Sequence, residues 1–336
     1  MRWTGVLAGL LTLVLLASCA PKPPEWTLGK SALYPEQAYL VGVGMASTRA
    51  EAENRARSEL AKIFTVHIAS REVSTESEWL NRAGNVAGAG YRQAVQADLV
   101  ATSDKVLSGV HIAEVWQNEK AGTWHALAVL DRLKASQALR AEINEVDQSA
   151  MTQVRQAEQA STRFRALGHY LQALKALELR RTLAADLRIT DPSGWVAEPP
   201  YALAAIAAKA DAVAGTIQVG IDLQDDRDGI VRGAVIQSLT GLGIQLAPSI
   251  AGDVRLLGHI RVDAYKASDP WNWVAAAAQV EFIEPDGKIL DAVRVNVREG
   301  SQIASRADTL AREKLGEKLA QILIERLGFI GSPSSR

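Results

Sequence analysis

Tyr39-Leu40-Val41-Gly42-Val43-Gly44 is a compact run of apolar and small residues, and a few positions on it is followed by Thr48-Arg49-Ala50-Glu51. The run predicts a strand. Thr48 with Glu51 three positions on is the pattern of a capping box, which marks a helix start. Beyond it Ala52, Ala56, Leu60, Ile63 and Phe64 recur at helical spacing, while Glu53, Arg55, Arg57, Glu59 and Lys62 occupy other faces. A strand that runs directly into an amphipathic helix therefore opens the folded chain. Two glycines at a strand end invite a dinucleotide reading, but Ser47 stands where the third glycine would be and no second βαβ unit follows. No cofactor is expected. The glycines read instead as a place where the helix packs closely on the strand.

Toward the C-terminus, a polar segment from about Ser77 to Leu107 is interrupted by Gly84, Gly88 and Gly90, which predicts a broken helix. Two strands follow, His111 to Gln117 and Thr123 to Leu130. Both faces of the second are largely apolar, so it is expected in the centre of its sheet. From about Arg132 to Leu187 the chain is rich in Ala, Leu, Gln, Glu and Arg and lacks proline, the composition of long helices. Gly168-His169-Tyr170 is expected to turn this stretch into two antiparallel helices, a pattern similar to a single tetratricopeptide-type hairpin.

A break at Asp191-Pro192-Ser193-Gly194-Trp195 and Glu198-Pro199-Pro200 leads to the last unit. There Ile217, Val219, Ile221 and Leu223 alternate with other residues, residues 229 to 242 read as a helix, and Val254, Leu256, Ile260 and Val262 mark another strand. Pro285-Asp286-Gly287 predicts a hairpin turn between Gln279–Glu284 and Ile289–Arg298. A helix carrying Ile303, Leu310, Leu315, Leu319, Ile322, Leu323 and Leu327 closes the chain. The expected fold class is α+β: two small α+β domains, β-α-α-β-β and β-α-β-β-β-α, joined by a helical hairpin. The expected boundaries are 38–131 and 209–330 for the domains, 132–190 for the hairpin and 191–208 for a linker.

The N-terminus says where the protein works. Arg2 and an apolar run from Val6 to Leu16, too short to cross a bilayer, precede Leu16-Ala17-Ser18-Cys19. This resembles the lipobox of bacterial lipoproteins. The resemblance implies a signal peptide over 1–18, recognition of Leu16, Ala17 and Ser18 by the signal peptidase, and acyl chains such as palmitate on Cys19. Cys19 is the only cysteine, so it has no disulfide partner within the chain. Each acyl chain contributes roughly 0.8 kcal/mol per buried CH₂, which holds a protein on a membrane without a spanning helix. Ala20 is not the Asp of an inner-membrane retention signal, so the expected place is the outer membrane, facing the periplasm. Residues 19–37 contain four of the eleven prolines and are expected to be a flexible tether.

Composition excludes several functions. A net charge of −1 leaves no basic excess for a nucleic acid. The five histidines are His67, His111, His125, His169 and His259; they show no metal-binding spacing, and the single cysteine is assigned to lipid, so no metal is expected. Asp225-Asp226 and Asp228-Gly229 lack the spacing of a calcium loop and read as a solvated turn. No nucleophile motif stands in a persuasive context. Asp269-Pro270-Trp271-Asn272-Trp273 is the most unusual segment beyond the signal. Trp271 and Trp273 are either a lid over the C-terminal sheet or an exposed partner interface.

Pro24-Glu25-Trp26, the strand ending in Gly42-Val43-Gly44, and the alanine-rich Ala50-Glu51-Ala52 with Arg55-Ala56-Arg57-Ser58-Glu59-Leu60-Ala61 together resemble the LPP-20 family of bacterial outer-membrane lipoproteins. The resemblance covers roughly residues 19 to 135. It implies envelope attachment and participation in surface assemblies, including flagellar ones, and implies no catalytic residue. The C-terminal element order is similar to the TolB N-terminal-like domains of the flagellar T-ring protein and of lipoprotein activators of penicillin-binding proteins. This chain differs from both in its helical stretch 132–187.

The expectation is a non-enzymatic outer-membrane lipoprotein that serves as an accessory or scaffold of a periplasmic assembly. Its expected partners are the membrane, through Cys19, and other envelope proteins of flagellar or cell-wall machinery, with a homo-oligomer also open. The alternatives are a regulator of a peptidoglycan synthase and a periplasmic hydrolase whose site residues are dispersed along the sequence.

Overall fold

The computed structural model describes residues 22–69, 109–248, 252–267 and 269–329; the expected helix at 77–107 lies outside them. Two compact units divide the chain, one made of residues up to Lys62 with Gly109–Asp131, the other built on the residues from Arg132 onward. Helices and sheets mix in an α+β architecture.

The first unit is an antiparallel sheet of β1 (Tyr39–Ala46), β2 (His111–Asn118) and β3 (Thr123–Asp131), in the order β1-β3-β2. The doubly apolar strand is central, and Ala126 to Leu130 are all buried. Helix α1 (Arg49–Ala69) starts at Thr48, whose Oγ1 accepts from the Glu51 N–H at 3.3 Å. The reciprocal half of the capping box is not made, because the Glu51 carboxylate accepts from Arg55 at 2.6 Å. Alternation puts Leu40, Gly42, Gly44 and Ala46 on one face, all buried, and α1 lies there with Ala52, Ala56 and Leu60 fully buried. A β-carbon on Gly42 would stand 2.4 Å from the Ala56 carbonyl oxygen. The Gly-x-Gly pair is thus a seat for a helix.

The opposite face carries a correction to the expected tether. Residues Glu25–Leu28 form a short 3₁₀ turn closed by Gly29 at φ +83°. Trp26 is buried beside Leu127 and Val129, with Tyr34, Tyr39, Val41 and Val43 around it. Its indole N–H donates to Glu114 Oε2 at 2.7 Å. Burying so large a ring is worth about 2–3 kcal/mol, enough to hold a short proline-rich segment on the sheet. Packed structure is therefore present at Glu25–Leu28, within the expected tether.

In the second unit α2 (Arg132–Glu158) and α3 (Arg163–Thr190) form the antiparallel hairpin. The turn lies at residues 159–162, and Gly168 and His169 sit inside α3, contrary to the expected break there. Thr162 supplies the reason: its Oγ1 accepts from the Arg165 N–H as an N-cap, whereas an interior glycine costs only about 1 kcal/mol. Phe164, Leu167, Tyr170 and Leu171, all buried, more than offset that cost.

Helix α4 (Leu203–Ala214) takes up the last third of the expected linker, anchored by buried Ile206, Ala207 and Ala210. The sheet has the order β5-β4-β6-β7-β8, from β4 (Gln218–Gln224), β5 (Gln245–Leu246), β6 (Val254–Lys266), β7 (Asn272–Ile283) and β8 (Ile289–Ser301). Strand β4 is parallel to β5 and β6, while β6, β7 and β8 are antiparallel. Helices α5 (Ile230–Gly241) and α6 (Ala304–Phe329) pack together, and α6 lies on β7 and β8. The helical hairpin is not a free arm: Phe164 meets Phe282, ring centroids 6.0 Å apart, and Arg165 forks onto the buried Glu284 carboxylate with two 3.2 Å bonds. Its far end has a separate small core of Leu139, Ile143, Val146, Leu183 and Leu187.

Candidate functional site

Leu16, Ala17, Ser18 and Cys19 lie outside the described residues, so the site that geometry defines is the tryptophan segment. It sits at one end of the β6–β7–β8 meander. Alternation along β7 sends Val274, Ala276, Ala278 and Val280 into the core and leaves Trp273, Ala275 and Ala277 on the other face. Register then builds the cluster: Trp273 pairs with Tyr265 on β6 and with Gly300 on β8, and Ala275 pairs with Arg298.

The two tryptophans have different fates. Trp273 is half-buried. Its Nε1–H donates to both Asp269 carboxylate oxygens, at 2.9 and 3.0 Å, and its ring lies over Gly300, where a β-carbon would approach to 2.9 Å. It is a packed part of the sheet. Trp271 remains 43% exposed, stacked on Trp273 with centroids 6.3 Å apart and planes 30° from parallel. Asp269 positions both, since its Oδ1 also accepts from the Trp271 backbone N–H at 3.1 Å.

Arg298 completes the group. Its guanidinium carbon stands 4.5 Å from the Trp273 ring centre and 5.0 Å from that of Tyr265, itself 37% exposed. Cation–π attraction of about 0.5–1 kcal/mol per exposed contact restrains it. Arg298 has no hydrogen bond or ion pair with any described residue, so its donors face solvent. The arrangement offers an exposed indole face for stacking and a restrained guanidinium for an anion.

Beside Asp269, Trp271 and Trp273, which the sequence marks as one unusual segment, the structure adds Tyr265, Arg298 and Gly300. Extending the predicted strands to either side of Asp269-Pro270 would have set Tyr265 opposite Trp273. Other candidate positions are placed singly. His259 is exposed and paired with Asp225 at 3.2 Å. Asp226 caps α5, its carboxylate accepting from the Arg232 N–H at 2.7 Å. Among the described residues no group of three or more His, Cys, Asp or Glu could hold a metal, and no helix is long and apolar enough to cross a membrane.

The family model LPP20 lipoprotein matches residues 24–131, a stretch that runs from the Trp26 turn to the end of β3. Among solved structures, a candidate lipoprotein of Caulobacter crescentus is 12% identical, covering 33% of this chain and 88% of its own, at a TM-score of 0.27. A minor lipoprotein of Acinetobacter baumannii is 11% identical, covering 33% and 92%, also at 0.27. A secreted protein of Helicobacter pylori is 11% identical over 86% of this chain and 98% of its own, at 0.40. No curated protein matches the chain.

Proposed function

We propose that this protein is a non-enzymatic outer-membrane lipoprotein, anchored through acyl chains on Cys19, that recruits a protein partner to a periplasmic assembly. The LPP20 match supports the lipoprotein reading, and the lipobox residues supply the anchor. The single observation behind recruitment is the Trp271 face, held exposed on a sheet by Asp269 and Trp273. Trp, Tyr and Arg are the residue types that dominate interface energetics, and here they adjoin one another on a rigid scaffold. Lipid attachment would confine this surface to the membrane plane and raise its effective concentration toward membrane-bound partners. The C-terminal residues 209–330 are read as a TolB-like module on element order, which makes a peptidoglycan synthase one partner to look for.

The test is crosslinking and affinity capture from native membranes, read by mass spectrometry, with the wild type, Cys19→Ser and Trp271→Ala. The expected result is one defined set of envelope proteins with the wild type, reduced in both variants. Recovery that is unchanged in Trp271→Ala would remove this surface from the function.

A further inference from the structure

Resting on that recruitment reading, we infer that the open face of β6, β7 and β8 receives an extended acidic segment of a partner protein, with Arg298 binding a carboxylate. The shape follows from side-chain size. Along β7, Ala275 and Ala277 are smaller than every neighbour across from them, Arg261 and Asp263 on β6 and Asn296 and Arg298 on β8, so the face has a shallow trough with Trp273 closing one end. The flanking strands stand about 10 Å apart, two interstrand spacings, which admits one extended chain.

The charge follows from which walls are already neutralised. Arg261 is paired with Asp263 at 2.7 Å, and Arg294 donates to the neutral Gln279 at 3.0 Å. Among the described residues, Arg298 is held by ring faces alone. The β8 wall therefore carries two cations without a carboxylate partner among the described residues, four residues apart, or about 13 Å along the strand. Side chains on one face of an extended peptide repeat every second residue, so carboxylates four positions apart match that distance. A guanidinium fixed between two rings presents its donors as a flat fork, which suits carboxylate oxygens better than a mobile ammonium would. Trp271, beyond the closed end, adds a stacking surface for an apolar or aromatic residue.

The probe is a fluorescein-labelled ten-residue peptide of alternating threonine and glutamate, compared with its threonine–glutamine counterpart, by anisotropy against the full Cys19→Ser chain. Vesicles containing anionic phospholipid are the competing ligand. The glutamate peptide should bind at least tenfold more tightly than the glutamine one. Arg298→Gln should remove most of that difference, and Arg298→Lys should restore only part of it. Near-UV circular dichroism, unchanged in both variants, keeps the comparison to folded protein. Equal binding of the two peptides, binding of neither, or Arg298-dependent binding of vesicles alone overturns the carboxylate assignment. Any of these can occur while Trp271→Ala still loses its partner in the membrane capture, so recruitment and acidic recognition fail separately.

Discussion

Gly44 lies so close beneath α1 that a β-carbon on it would stand 2.2 Å from the Ala52 carbonyl oxygen and 2.3 Å from the Ala56 amide nitrogen. Both obstacles are backbone. Neither can rotate away as a side chain would, so any larger residue must lift the helix off the strand.

Gly44→Ala should therefore destabilise the first unit by about 3 kcal/mol or more, at the upper end of overpacking costs. Urea denaturation of the Cys19→Ser chain, with hydrogen exchange assigning the loss to β1 and α1, measures it. Gly122→Ala, in an open turn at φ +63°, should cost only about 1 kcal/mol through backbone strain.

Glu284 is buried and receives both bonds from Arg165, which joins the base of the helical hairpin to the sheet. Glu284→Ala should cost about 2–3 kcal/mol, because it removes a charge-assisted pair and leaves Arg165 without its acceptor. A double-mutant cycle with Arg165→Ala should give a coupling of about 1–3 kcal/mol. Strict additivity would show that the pair contributes nothing.

His169, buried in α3, bonds Gln153 Oε1 at 2.8 Å through Nδ1, and burial, followed by the nearby Arg165 charge, lowers its pKa from the ordinary 6.5. The native state thus binds this proton less readily than the unfolded chain does. Stability should be fully present above pH 6.5 and fall as the pH drops toward the lowered native value. Asp191 has a lowered pKa through bonds from Ser193 and the Arg140 charge, so its share is lost further down, below the ordinary 3.8. Melting from pH 7.5 to 5 should show the first loss, and His169→Gln should flatten it.

The two tryptophans should separate in mutagenesis. Trp273→Ala removes the ring over Gly300, the Arg298 contact and the bonds to Asp269, and should destabilise by about 2 kcal/mol. Trp271→Ala should stay within about 0.5 kcal/mol of wild type in stability while reducing partner capture. Thermal melts beside the membrane capture distinguish the two.

Regular periodicity made much of this fold legible. The strand–helix start, the central β3 and the closing helix were each carried by apolar spacing that local geometry then honoured. Trp26 was hidden because proline-rich composition says nothing about one ring whose partner, Glu114, lies 88 positions away. The hairpin turn was misplaced because a glycine was weighed above the Ser161-Thr162 cap. Ala275 to Ala278 carry a helix-favouring composition, yet pairing on both sides makes them strand, and Ala276 and Ala278 give α6 a close floor. At the candidate site, composition pointed to Trp271 and Trp273. Tyr265 follows from extending the strands about the Asp269-Pro270 turn, whereas Arg298 reaches them only through the register of β7 with β8, which no local pattern encodes.

Burial of Trp26 also sets a length. Between Cys19 and Pro24, the residue before the Trp26 turn, the backbone can extend at most about 18 Å. Under the proposed anchoring at Cys19, the first unit would ride against the headgroups like a moored boat on a short line. A partner of that unit would then have to come to the bilayer surface, since so short an anchor would leave the unit no reach to find one farther away.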